Sequence, residues 1–141
     1  MKNFADFVRH CEAEYPHFYK IHDKDGRNFR CVISVENHGE WTAGEELRVV
    51  QDIQRHRHIR STELWRVVQG VIKLTISGKE LMLNEGDQIT IEPGEVHSAT
   101  GEKNALVRVT CTPALMEGDE VIDETPEKPQ VTAELLGVVG E

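Results

Sequence analysis

From residue 29 to residue 112 the chain is a series of apolar runs four to nine residues long, cut by Gly, Asn or charged breaks. The candidate runs are 29–35, 46–54, 63–69, 71–76, 79–83, 88–91 and 105–112. Runs of that length suit strands better than helices, and the breaks between them carry turn residues. They fall in HGEWTAG at 38–44, at Gly70, at Ser77-Gly78 and at 84–87. Many short strands with turns between them predict an antiparallel sandwich or barrel. Ser77-Gly78, between LTI and KELML, reads as a two-residue hairpin.

The flanks differ. Phe4, Phe7, Val8, Cys11 and Tyr15 recur at helical spacing after Asn3, a residue type that caps helix starts, and Pro16 ends the pattern. Residues 22–28, HDKDGRN, read as a turn, and the acids there miss the order of a calcium loop. Residues 117–141 hold Glu117, Asp119, Glu120, Asp123, Glu124, Glu127, Glu134 and Glu141 against Lys128 alone, a charge of −7. With Pro126 and Pro129 and few apolar residues, this reads as a solvated acidic tail. The expected organisation of the 141 residues is a helical and turn segment at 1–28, one β domain at 29–116 and a tail at 117–141.

Composition narrows the partners. The formal charge is −9, which argues against nucleic acid and anionic lipid, both of which need a cationic face. No run approaches the roughly 20 apolar residues that span a bilayer. Asp6 and Arg9 interrupt any secretory apolar region. Cys11, Cys31 and Cys111 are odd in number and far apart, so small buried core residues in a reducing cytoplasm is the expectation.

Chemistry concentrates in the histidines. His56 and His58 are two apart, and in a strand that places both imidazoles on one face. Glu63 follows past a short stretch able to turn the chain back, and His97 closes PGEVH beyond a Gly-Asp turn. Three imidazoles and one carboxylate suit Zn, Fe, Mn, Ni, Co or Cu alike. His10, His17, His22 and His38 lie outside this pattern and read as surface residues. By alternation Trp65 shares the face of Glu63, where its indole could cover a ring or sugar, or simply pack in the core.

These runs resemble the two motifs of the cupins. HRHIRSTELWRVVQG matches H-x-H-x4-E-x6-G at His56, His58, Glu63 and Gly70. GDQITIEPGEVH is similar to G-x5-P-x-G-x2-H at Gly86, Gly94 and His97, with Glu92 where the motif has proline. The resemblance implies an all-β, single-domain cupin barrel (a double-stranded β-helix or jelly roll) with a short N-terminal helix. It also implies a divalent metal held by His56, His58, Glu63 and His97, and a homodimer. The E-x-W-x-V-x-x-G run from Glu63 is partly similar to type II phosphomannose isomerase barrels.

The expected function is a metal-dependent enzyme using the ion as a Lewis acid on a small sugar, sugar phosphate or organic acid, by isomerisation, epimerisation or lyase chemistry. A dioxygenase and a non-catalytic binding or sensor module stand as alternatives. Glu63 is the expected catalytic base, with Glu92 and Glu95 as further acids near His97. Trp65 and Arg108 are the expected substrate contacts. Arg57 and Arg66 point away from the metal face, whereas an inward Arg108 would anchor an anion.

Overall fold

The computed structural model describes residues 3–23, 28–38, 41–113 and 119–122. The acidic tail past residue 122, most of the 22–28 turn and the side chain of His38 lie outside the described residues.

Helix α1 (Phe4–Glu14) begins where Asn3 Oδ1 accepts from the Asp6 N–H at 2.9 Å, the expected cap. Among the described residues nine strands follow, hydrogen-bonded into one curled sheet. They are β1 (Lys20–Asp23), β2 (Phe29–His38), β3 (Trp41–Val49), β4 (Asp52–His58), β5 (Thr62–Ile76), β6 (Lys79–Leu83), β7 (Gln88–Ile91), β8 (His97–Thr112) and β9 (Glu120–Ile122). All pairings are antiparallel.

Two long strands organise the barrel. β5 pairs with β8 from Thr62↔Thr112 to Ile76↔His97. The other edge of β8 is divided, with 97–100 against β4 and 106–111 against β3. The runs expected at 63–69 and 71–76 are therefore one strand. Gly70 does not end it but bulges it: the register shifts on both sides of Gln69, and Gly70 has φ +77°. The run expected at 46–54 is instead two strands, parting at Val50 and Gln51. The hairpin at Ser77-Gly78 is present, with φ of +49° and +81° as a type I′ turn needs.

The sheet is buried on both faces. Trp65, Val67, Ile72, Leu74, Ile91, Val107 and Val109 fill the barrel. On the outer face Leu47, Val49, Cys31, Phe29 and Leu106 pack against Phe7 and Cys11 of α1. Each large apolar side chain buried in this way contributes roughly 1.5–3 kcal/mol. Because α1 claims Leu47 and Val49, pleating turns Glu46 and Arg48 inward. A segment expected to be tail, 120–122, pairs with β4 instead, by His56↔Ile122 and His58↔Glu120. Backbone bonding to the free edge of β4 outweighs the solvation of its acids.

Candidate metal centre

β4 carries His56 and His58 on its inner face, alternating with Arg55 and Arg57. His97 opens β8 directly opposite His56 in the ladder. The turn before it is sewn to the same strand, since the Gly94 N–H donates to the His58 carbonyl at 2.8 Å. Gly94 has φ +86°, which explains a glycine there. Glu63, near the start of β5, pairs with Cys111 on β8 and Ile91 on β7.

All four side chains are buried, and the three imidazoles offer ligand atoms within 4.8 Å of one another. His56 Nδ1 lies 2.7 Å from the Gln54 carbonyl and His97 Nδ1 lies 3.0 Å from the Glu95 carbonyl. A carbonyl only accepts, so both Nδ1 atoms carry the proton and both Nε2 atoms present a lone pair. The Nε2 atoms of His56, His58 and His97 have no hydrogen-bond partner. His58 lies between two carboxylates, with Nε2 3.4 Å from Glu63 Oε2 and Nδ1 3.3 Å from Asp119 Oδ2.

Burial, and then the neighbouring His97, push the His56 imidazole down to about 4. Burial also lowers His97. Both rings are therefore neutral near pH 7, the form that ligates a cation. Glu63 differs. Burial alone would raise its carboxyl, but Arg48, His58 and the hydrogen bond from Trp65 together hold it well below the usual carboxylate range. Its oxygens are engaged: Oε1 accepts from Trp65 Nε1 at 2.8 Å and Oε2 from Arg48 at 2.9 Å. Glu63 thus stands beside the imidazoles as a fixed anion and a weak proton acceptor, which removes the main support for its expected role as base. The residues fit a divalent transition metal, with three imidazole nitrogens and a neighbouring carboxylate in a buried cup.

Two expected substrate contacts fall elsewhere. Trp65 shares the face of Glu63 but is wholly buried, its ring centroid 6.1 Å from that of His97. It braces the carboxylate and is not a wall of the cavity beside His56. Arg108 points outward, paired with Glu45 at 2.7 and 2.8 Å and over the Tyr15 ring at 5.6 Å. Val107 and Val109 occupy the inner face of that stretch, so the pleat turns Arg108 toward α1. Glu95 Oε1 accepts from the Glu92 N–H at 2.7 Å, an exposed link within the turn.

The inward cations are Arg48 and Arg30. Arg48 lies 3.4 Å from Glu46 and 2.9 Å from Glu63. Arg30 lies 3.9 Å from Glu46 and 3.7 Å from Glu120. Both arginines line a cavity of about 190 Å³ that is walled also by His56, Gln54, Glu120, Ile53 and Ile122. Sequence reasoning missed Arg30, Arg48, Glu46 and Asp119. The alternation Glu46-Leu47-Arg48-Val49 was a usable signal once α1 needed an apolar partner. Asp119 had none, being one acid among many.

A cupin domain family model matches residues 44–113. Among solved structures the chain is similar to Streptomyces Pac13, a nucleoside dehydratase, in a variant solved with uridine: TM-score 0.64, 19% identity, 77% of this chain and 86% of that one covered. KdgF from a Halomonas species aligns with TM-score 0.57 and 20% identity over 69% of this chain and 90% of its own. An RmlC-like cupin from Shewanella frigidimarina aligns with TM-score 0.56 and 25% identity over 67% of this chain and 84% of its own. No curated protein matches significantly. With both motifs on the strands that this architecture requires, the chain belongs to the cupin superfamily.

Proposed function

We propose that this chain is a metal-dependent enzyme that moves a proton at a carbon next to an oxygen of a small sugar or organic acid, an isomerase, epimerase or lyase. One observation carries this: three buried imidazoles whose Nε2 atoms have no hydrogen-bond partner offer ligand atoms within 4.8 Å of one another, and one of them, His56, lines a cavity shared with two guanidiniums. Each unpaired buried polar atom costs about 1–3 kcal/mol, and a shared cation relieves all three together. A divalent ion bound there would polarise a carbonyl or hydroxyl oxygen as a Lewis acid.

The chain's own groups divide the remaining work. Glu63, fixed by Arg48 and Trp65, keeps a negative charge at the imidazoles. Ile53 and Ile122 give the cavity an apolar side. Glu120 lines the cavity and is partly exposed, so it is the carboxylate assigned to take up the proton. A cavity rich in charge favours oxygen-bearing substrates, and with them proton movement, over dioxygenation of an apolar molecule.

Metal analysis of protein purified without added metal tests the centre, with about one transition metal per chain expected. His58→Ala should lose it while the far-ultraviolet circular dichroism holds, and full retention of metal in that variant refutes the assignment. Incorporation of deuterium from heavy water at carbon, across a panel of sugars and hydroxy acids, tests the reaction class.

A further inference from the structure

We propose that the cavity takes a small monocarboxylic acid bearing a neighbouring hydroxyl or keto oxygen, that Arg30 holds the carboxylate, and that Glu120 is a built-in competitor for the same guanidinium. This narrows the substrate class of the site above, and rests on that reading only for what meets the ligand at the imidazole end.

Size sets the first limit. About 190 Å³ equals roughly six waters at 30 Å³ each. That is well under the roughly 300–1,000 Å³ of drug-sized pockets and suits an acid of three to six carbons. Charge sets the second. Arg30 has five N–H donors on a side chain only 12% exposed. Its carboxylate neighbours, at 3.7 and 3.9 Å, lie beyond the 2.7–2.9 Å or so of a charge-assisted hydrogen bond. The other guanidinium of the cavity is engaged, Arg48 with Glu63 at 2.9 Å, and Arg108 outside it is held by Glu45 at 2.7 Å. Of the two lining arginines, Arg30 is therefore the one with directed donors to spare, and it shares the cavity with His56.

A planar guanidinium matches a carboxylate through two parallel bonds. A doubly charged phosphate would instead meet the repulsion of Glu46 and Glu120. Ile53 and Ile122 offer an apolar wall to a short carbon chain, which leaves the oxygen next to the carboxylate facing His56. Glu120 sits on β9 with its side chain 23% exposed, so a ligand carboxylate reaches Arg30 by displacing it.

Isothermal titration calorimetry on zinc-loaded protein decides this, with L-lactate, propane-1,2-diol and inorganic phosphate as probes. Lactate should bind at least about tenfold more tightly than the diol. Arg30→Gln should bring lactate down to the level of the diol with zinc content unchanged, and Arg30→Lys should restore part of the difference. Glu120→Gln should tighten lactate several-fold and leave the diol alone. Equal binding of lactate and diol, tightest binding of phosphate, a preference that survives Arg30→Gln, or weaker lactate binding in Glu120→Gln would each overturn the proposal. Protein that takes up no zinc refutes the metal centre separately, and the Arg30-dependent preference measured on those samples still decides the anion site.

Discussion

Replacing Arg48 with Met tests whether the charged interior is held together as described. The Arg48 side chain is 3% exposed and touches two buried carboxylates, Glu63 at 2.9 Å and Glu46 at 3.4 Å. At an effective dielectric of about 20 each contact is worth roughly 5–6 kcal/mol before desolvation. Much of that offsets the cost of burying the ions, but truncating one partner leaves the others uncompensated, which typically costs about 3–5 kcal/mol. A domain of this length has ~7–20 kcal/mol in total, so the metal-free variant should melt ~10–20 °C below wild type. The assay is urea and thermal unfolding in EDTA, followed by tryptophan fluorescence. Adding Glu63→Gln to the Arg48→Met background removes one orphaned charge and should recover about 1–3 kcal/mol. A single variant within 1 kcal/mol of wild type, or a double variant no more stable than the single, refutes the reasoning.

Three further outcomes follow from other features. Gly70→Ala should cost at least ~2 kcal/mol in the urea midpoint, since a Cβ there sits 2.6 Å from the Glu102 carbonyl oxygen at φ +77°; a shift under about 0.5 kcal/mol would count against the bulge. In EDTA, Glu63 is held below its ordinary 4.5, so its contribution is complete above that value and is lost as pH falls through and beneath it; Glu63→Gln should flatten this acid limb of the stability curve. Zinc at a hundred times its dissociation constant should stabilise wild type by about 2.7 kcal/mol, and His97→Ala should abolish the rise in melting temperature.

How much was legible in the sequence depends on whether local spacing carried the information. His56 and His58 share a strand, and His97 follows the Gly94 turn by three residues, so the three imidazoles were readable from intervals of two and three residues. Strand extents were less so, because pairing on both edges overrides local breaks. β3 begins at Trp41, inside a stretch of apparent turn residues, because β2 and β8 flank it. Arg108 shows the cost. Had β8 been recognised as continuous from His97, the phase His97, Ala99, Val107, Val109, Cys111 would have placed Arg108 on the outside. Starting the strand at 105 discarded that phase. Arg48 and Arg30 needed tertiary knowledge, since their inward orientation follows from which face α1 covers.

The same burial accounts for why a barrel this small keeps so many ions inside. Within the network that reaches the imidazoles, the guanidiniums of Arg30 and Arg48 face the carboxylates of Glu46, Glu63 and Glu120, and Asp119 lies against His58. Among these groups that leaves two more carboxylates than guanidiniums where three imidazole Nε2 atoms lack a hydrogen-bond partner and two of the rings are driven toward their neutral form. A protein selected for stability alone would do as well with apolar residues of the same volume, because buried ion pairs seldom repay their desolvation. A divalent cation among the imidazoles balances the sum, and an acid entering against Arg30 then meets a site near neutrality instead of a negative one. On the proposed reading Arg30 serves the ligand, Arg48 holds Glu63 in place and the carboxylates serve the ion, and each set is tolerable inside the barrel because the other is present.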